Sequence, residues 1–155
     1  MSDRSVPGIH HVTALSGAAQ ANLDFYAGVL GLRRVKTTVN FDDPKTHHLY
    51  YGDTVGRPGT ILTFFPWPQA RTGRTGAGMV QAVAFAVPED TLDDWADHLT
   101  DADVPTTRTE RFGDPVLQFD DPAGLALELV AADAPENPAL PGGSLAPAPD
   151  YLADR

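Results

Sequence analysis

Histidines in strand-like segments are the residues of this sequence that most directly suggest chemistry. Residues 8–17 read GIHHVTALSG and place His10 and His11 side by side, although the chain has only five histidines. An imidazole can bind a metal ion or move a proton, while a hydrogen-bonded histidine inside a core is the structural alternative. In a regular strand, alternation places His11 and Thr13 on one face and His10 on the other.

A single acid in a leucine-rich segment is the second candidate. Residues 124–130 read GLALELV, so Leu125, Leu127 and Leu129 share one strand face and Glu128 lies on the other. The leucines can pack beneath a helix, which turns Glu128 away from that core among small neighbours. A carboxylate in that position is costly unless it is paired, hydrated or bound to a cation. A partly exposed glutamate at a sheet edge is the alternative.

A third candidate cluster lies in residues 45–52, KTHHLYYG. Alternation places His48 and Tyr50 on one face, where they could line a ligand site and hydrogen-bond a phenolic oxygen. Aromatic packing alone is the alternative. His98, on a polar face of the second predicted helix, is expected to be solvated.

Composition excludes several classes of protein and of site. The formal charge is −10, from 21 acidic and 11 basic residues, which argues against a nucleic-acid groove. Without cysteine, a metal would need imidazole or oxygen ligands. No apolar run approaches the roughly 20 residues of a membrane span, and the start MSDRSVPG has no apolar signal-peptide core. We therefore expect no membrane association and a cytoplasmic location.

The order of the predicted elements occurs twice. A strand, a helix and three strands fill residues 1–68, and the same order fills residues 79–132; a Pro/Gly/Thr-rich linker at 69–78 joins them, and a Pro/Gly-rich tail covers 133–155. The first helix has apolar residues at helical spacing, namely Leu23, Tyr26, Ala27 and Leu30. Gly31 is predicted to end this helix in the left-handed conformation, and Asp103 to end the second.

The predicted fold class is α+β, with two β-α-β-β-β modules forming concave mixed sheets and helices on the outside. Each helix covers one face of its small sheet, and the other face needs a partner. That partner could be the second module of the same chain or a module of a second copy in a homodimer. A trough between the paired sheets would be the place for a ligand.

These modules resemble the vicinal oxygen chelate superfamily. The residues that carry the resemblance are the opening HHVTALSG and the closing DPAGLALELV. The superfamily includes glyoxalases, extradiol ring-cleaving dioxygenases and bleomycin- or fosfomycin-resistance proteins. The chain is most similar to the hydroquinone-type ring-cleaving branch, through GIHHVTALSGAAQANLDFYAGVLGLRRVKTTVNFDDP and HLYYGDTVGRPGTILTFFPW. The resemblance covers about residues 7–132, whereas that branch has four modules and about twice this length.

The resemblance implies a divalent metal, with Fe(II) expected first and Mn(II) as the alternative, held by His11 and Glu128. An aromatic diol would bind the metal and pass electrons to dioxygen, and the ring would open. His10, Thr13, His48 and Tyr50 would form the catalytic surroundings of the substrate.

Two further places of the repeat could have held metal ligands. By position in the repeat, Ala82 is equivalent to His11 and Thr63 is equivalent to Glu128. Neither alanine nor threonine is an ordinary metal ligand. In the four-module branch, the resemblance implies that the fourth module completes the metal site. The third donor in this chain stays open between water, His47, His48, Tyr50, Gln81 and Gln118.

Two other functions remain open from the sequence. The chain could be a non-redox small-molecule binding or resistance-type module, or an inactive half-length relative without a complete metal triad. Ala82 favours these alternatives. A glyoxalase or epimerase would need more carboxylate and imidazole donors than the four repeated positions offer.

Overall fold

The computed structural model of the protein describes residues 8–71 and 73–131, so the predicted tail at 133–155 lies outside the described residues. Strands and helices follow the predicted order. The first module contains β1 (His11–Ser16), α1 (Ala19–Leu23) continued by a π-helical segment (Asp24–Val29), β2 (Arg33–Val39), β3 (His47–Gly52) and β4 (Ile61–Pro66). The second contains β5 (Val83–Val87), a 3₁₀ turn (Glu89–Thr91), α2 (Leu92–Asp101), β6 (Thr107–Arg111), β7 (Asp114–Asp120) and β8 (Ala126–Ala131).

Each module forms a four-stranded mixed sheet. The strand orders are β1-β4-β3-β2 and β5-β8-β7-β6, so the first and last strands of each module are neighbours. Those two pairs are parallel, whereas the other pairs are antiparallel. This arrangement confirms the predicted α+β class. No helix within 8–71 or 73–131 is long and apolar enough to cross a bilayer.

The first helix differs from the regular helix that its spacing predicted. After Leu23 the backbone widens into a π-helical segment, in which the Leu30 amide donates to the carbonyl of Phe25 five residues earlier. The wider turn buries the adjacent residues Phe25 and Tyr26 together, while Leu23 is only partly buried. The spacing correctly predicted that Tyr26, Ala27 and Leu30 are buried and that Leu23 faces the core. The burial of Phe25 was not predicted, because π-helical turns change which residues share a face.

Both helices end as predicted, in the left-handed conformation. Gly31 has a φ of 68° and Asp103 a φ of 58°. The amide of Leu32 donates to the carbonyl of Tyr26, and the Leu32 side chain is buried after this turn. The hydrogen bond and the apolar residue that follows it are typical of such helix ends.

One core joins the two modules. The buried cluster contains residues of both helices and of both sheets. Across the modules, the Phe25 and Phe119 rings lie 6.4 Å apart between centroids, and the Tyr26 hydroxyl donates to Asp121 at 2.9 Å. His98 also contributes, because its Nε2 donates to the carbonyl of Val29 at 2.8 Å. The expectation that His98 is merely solvated was therefore wrong.

Candidate functional site

Strand register defines which positions of the two modules are equivalent. Thr13 pairs with Thr63 in the parallel pair β1–β4, and Ala84 pairs with Glu128 in the pair β5–β8. Glu128 is thus the counterpart of Thr63, and Ala82, two residues before Ala84, is the counterpart of His11. The register agrees with the correspondence obtained by counting along the sequence.

A chain of hydrogen bonds runs across one face of the first sheet. The Tyr50 hydroxyl lies 2.9 Å from His48 Nδ1, and His48 Nε2 lies 2.9 Å from Thr63 Oγ1. Thr63 Oγ1 in turn donates to Thr13 Oγ1 at 2.9 Å. Thr63 is completely buried, whereas Thr13 and His11 on the neighbouring strand are exposed. Three predicted site residues are therefore brought together, linked by Thr63.

Two aromatic rings pack against the His48 side chain. Its ring centroid is 4.0 Å from that of Phe65 and 4.2 Å from that of Tyr50. Burial lowers the pKa of His48, and the nearby His11 and Lys36 lower it further. Lys36 Nζ also lies 5.5 Å from the centroid of the Tyr50 ring. The surroundings thus favour a neutral His48.

His10 and His11 are closer to each other than strand alternation predicts. β1 begins at His11, so His10 precedes the regular strand, and the Nδ1 atoms of the two rings are 3.1 Å apart. The prediction that the rings lie on opposite faces was wrong, because alternation applies only within the strand. At that distance one Nδ1 donates and the other accepts, which orients the His11 ring.

Glu128 lies on the opposite side of β8 from the leucine core, as predicted, but it already has a cationic partner. Only 3% of the residue is exposed. Arg111 Nε donates to both carboxylate oxygens at 2.8 Å, and Gln118 Nε2 donates to Oε1 at 2.6 Å. The hydrogen bonds from Arg111 are the main cause of the lowered pKa of Glu128; the bond from Gln118 adds to the effect, and burial opposes it.

Arg111 did not emerge from the sequence as a site residue. It ends β6 immediately before the turn at Phe112 and Gly113, both of which have positive φ. In the register Arg111 pairs with Asp114, and only its long side chain reaches Glu128, on the far side of β7. A useful signal was present in the sequence, since Thr107, Thr109 and Arg111 share one face of the predicted strand.

A cavity of about 480 Å³ lies beside Glu128. Its lining comes from the second module and includes Gln81, Ala82, Thr107, Arg111, Gln118 and Glu128. His11 lies on the other sheet, among first-module residues. The structure therefore does not bring the two predicted metal ligands together in this cavity.

The described residues of one chain do not fit a complete metal site. Residues 8–71 and 73–131 contain no group of three or more His, Asp or Glu side chains placed to hold a metal ion. Glu128 is neutralised by Arg111, and the exposed His11 could supply one donor. A metal would thus need further donors from outside this set.

Comparison with known proteins supports the family resemblance. The model of the Glyoxalase/Bleomycin resistance protein/Dioxygenase superfamily matches residues 8–129. MhqO of Bacillus subtilis (strain 168), named as a ring-cleaving dioxygenase, is 54% identical over 129 residues, which are 83% of this chain and 41% of MhqO. A chlorohydroquinone/hydroquinone 1,2-dioxygenase of Sphingobium indicum is 40% identical over 132 residues, which are 83% of this chain and 41% of that enzyme.

A solved structure gives the same result. The crystal structure of a protein named as a dioxygenase from Bacillus subtilis matches with a TM-score of 0.84 and 51% identity, covering 90% of this chain and 45% of that one. The chain thus spans about two fifths of the length of these curated relatives, at 41%. Dioxygenases of the superfamily generally depend on a divalent metal. The chain belongs to the Glyoxalase/Bleomycin resistance protein/Dioxygenase superfamily.

Proposed function

We propose that the protein takes part in metal-dependent cleavage of an aromatic diol by dioxygen. The observation that carries the proposal is the series of hydrogen bonds from Tyr50 through His48 and Thr63 to Thr13 on the first sheet. This series ends two residues from the exposed imidazole of His11. Similarity to the hydroquinone dioxygenase of Sphingobium indicum supports a hydroquinone-type substrate. Because the chain spans only part of such relatives, the activity is a proposal for an assembly rather than for one isolated module pair.

We propose His11 as the metal ligand of this chain, with Fe(II) as the metal and Mn(II) as the alternative. His10 would orient the His11 ring through the contact between their Nδ1 atoms. Thr13, His48 and Tyr50 would face the substrate. Bound metal would polarise the diol and allow its oxidation by dioxygen.

The remaining donors would come from another module. We propose a homodimer in which the first sheet of each protomer faces the partner chain. Glu128 as second ligand stays a prediction, and it requires Arg111 to release the carboxylate. We also keep the module boundaries 1–68 and 79–132, with the linker at 69–78, as proposals; the acidic, cysteine-free composition supports a cytoplasmic location.

Metal analysis of purified protein tests the ligand assignment. We expect His11→Ala to lose most of the iron or manganese that copurifies with the parent protein. His98→Gln is the control, because it removes an imidazole that donates to the Val29 carbonyl and is not a candidate metal donor. Equal metal content in the parent and His11→Ala would contradict the assignment. Glu128→Gln distinguishes a role as metal ligand from a role as ion-pair partner of Arg111. Only the ligand role predicts that this substitution lowers the metal content.

Oxygen uptake tests the reaction itself. With Fe(II) added, the parent protein is expected to consume dioxygen in the presence of hydroquinone or catechol, and His11→Ala is not. Sedimentation of the same samples determines whether the active species is a dimer. Stable metal binding without substrate-dependent oxygen uptake would contradict the dioxygenase proposal.

A non-redox binding or resistance-type module is the second candidate. The observation that favours it is the pair of non-ligand residues, Ala82 and Thr63, at positions equivalent to His11 and Glu128. For this function, hydroquinone would protect the protein against thermal unfolding without metal and without oxygen consumption. Protection that depends on added metal would instead support the dioxygenase.

A further inference from the structure

The turn before the last strand is built in the same way in both modules. Asp53 Oδ1 accepts hydrogen bonds from the backbone amides two and four residues later, at 3.0 Å each. Asp121 Oδ1 does the same in the second module, at 2.8 Å each. Both aspartates are buried. Equivalent turns are therefore held by equivalent buried carboxylates.

The two carboxylates differ in how their charge is balanced. Asp53 Oδ2 accepts a hydrogen bond from the Arg57 guanidinium at 2.8 Å, which forms an ion pair. Asp121 Oδ2 accepts instead from the uncharged Tyr26 hydroxyl at 2.9 Å. The ion pairs among residues 8–71 and 73–131 do not include Asp121. Because a charge is costly to bury without a partner, a cation beside Asp121 would do what Arg57 does beside Asp53.

A small cavity borders Asp121 and contains oxygen atoms without hydrogen-bond partners. Its volume is about 40 Å³, and it lies between the end of β1, the start of α1 and the turn that begins at Asp121. Ser16 and Asn22 line it, with only 6% and 2% of each residue exposed. Within the described part of the chain, Ser16 Oγ and Asn22 Oδ1 have no hydrogen-bond partner. Since buried polar atoms normally have one, the two oxygens indicate a ligand in this cavity.

We propose that this cavity is a binding site for a monovalent cation, sodium or potassium. Carboxylate, carbonyl and hydroxyl oxygens suit such hard cations, and Asp121, Asn22 and Ser16 would supply one of each. A single carboxylate balances a single positive charge, which favours a monovalent ion over a divalent one. The formal charge of −10 adds a general attraction for cations. The inference is independent of the proposed function.

The site lies where the two modules meet. Ser16 and Asn22 belong to the first module, whereas Asp121 belongs to the second and also accepts the Tyr26 hydroxyl. Unfolding separates these oxygens, so the cation binds the folded chain and not the unfolded one. The stability of the protein should therefore rise with the concentration of the cation.

Thermal unfolding in different chloride salts tests the site. At equal ionic strength, sodium or potassium chloride is expected to raise the Tm of the parent above its value in tetramethylammonium chloride, whose cation is too large for the cavity. The gain is expected to be about 3–6 °C with the small cation at roughly ten times its dissociation constant. Comparing sodium with potassium shows which ion the cavity prefers. Equal Tm values in the three salts would overturn the inference and would mean that the cavity holds water only.

Substitutions at Asn22 locate the effect. Asn22→Leu keeps a similar size and removes the oxygen, so the Tm difference between the salts is expected to disappear. Asn22→Asp adds a second carboxylate, so the difference is expected to increase. Asn40→Asp is the matched control, because it adds the same charge just after β2, outside this cavity.

The inference would be wrong if Asn22→Leu kept the full difference between the salts. It would also be wrong if Asn40→Asp increased the difference as much as Asn22→Asp does, since the effect would then be one of net charge. Ser16→Ala removes a single oxygen and gives the same test if Asn22→Leu does not fold.

Discussion

Thr63 and Glu128 occupy equivalent positions in the two modules, yet their side chains have different kinds of partner. Thr63 is neutral and links two side chains of its own sheet. Glu128 is charged, buried and held by Arg111 and Gln118. A guanidinium in front of a buried carboxylate supplies the positive charge that a metal ion would otherwise supply. The second module therefore contains a buried ion pair in this conformation, whereas the first module links the buried Thr63 to the half-buried His48 and the exposed Thr13.

The Arg111–Glu128 pair predicts a specific dependence of stability on pH. The folded pKa of Glu128 lies below its ordinary value of 4.5. The stabilisation is therefore fully present above about pH 4.5 and is lost as the pH falls through the folded pKa. We expect the parent to be more stable than Glu128→Gln at pH 7, and the difference to shrink below about pH 4.5.

Urea unfolding of both proteins between pH 3 and pH 7 measures this difference. Glu89→Gln is the control, because it removes the same charge from an exposed position in the 3₁₀ turn and reports any effect of net charge. A difference between the parent and Glu128→Gln that stays constant from pH 7 to pH 3 would show that the ion pair adds nothing to folding.

At the level of elements, the first helix carries the clearest local constraint. Gly31 has a φ of 68°, a conformation that costs a residue with a Cβ atom roughly 1–2 kcal/mol. Gly31→Ala is therefore expected to lower the free energy of unfolding by about that amount. Gly28→Ala is the matched control: a Cβ atom there would have no neighbour within 4 Å, and alanine favours helices over glycine by up to about 1 kcal/mol.

Chemical denaturation is expected to distinguish the two glycine variants by their change in the free energy of unfolding. Gly31→Ala unfolds at lower denaturant concentration than the parent, and Gly28→Ala unfolds at the same or a higher concentration. A Gly31→Ala variant as stable as the parent would mean that the helix end does not require the left-handed conformation.

The sequence predicted the elements better than the contacts between them. Strand alternation predicted that Glu128 lies on the opposite strand face from the neighbouring leucines. The preference of glycine for the left-handed conformation predicted that the first helix ends at Gly31. The π-helical segment could not be predicted, because a single extra residue in a turn depends on packing between Tyr26 and the sheet. The partnership of Arg111 with Glu128 was missed for a similar reason, since it depends on side-chain reach across a strand rather than on spacing.

At the level of the whole molecule, the two modules share a core rather than a linker alone. The contacts between them include Phe25 with Phe119, Tyr26 with Asp121 and His98 with Val29. Burial and the charge of Asp121 raise the pKa of Tyr26 far above its usual range, so its hydroxyl remains a donor at any ordinary pH. Asp121 also accepts hydrogen bonds from the backbone amides of Ala123 and Leu125. One carboxylate thus connects the turn before β8 to the first helix.

This connection predicts that the modules unfold together. Tyr26→Phe removes a hydrogen bond to a buried carboxylate, which is worth about 1.5–3 kcal/mol, although the substitution lies in the first module. In a Trp67→Phe background, Trp95 on α2 reports on the second module and circular dichroism reports on both. We expect Tyr26→Phe to lower both transitions to the same midpoint, whereas Tyr50→Phe, at a half-buried position, shifts them by less than about 1 kcal/mol. If the fluorescence of Trp95 kept the parent midpoint while the circular dichroism transition moved, the modules would be independent folding units, and the shared core would not couple them.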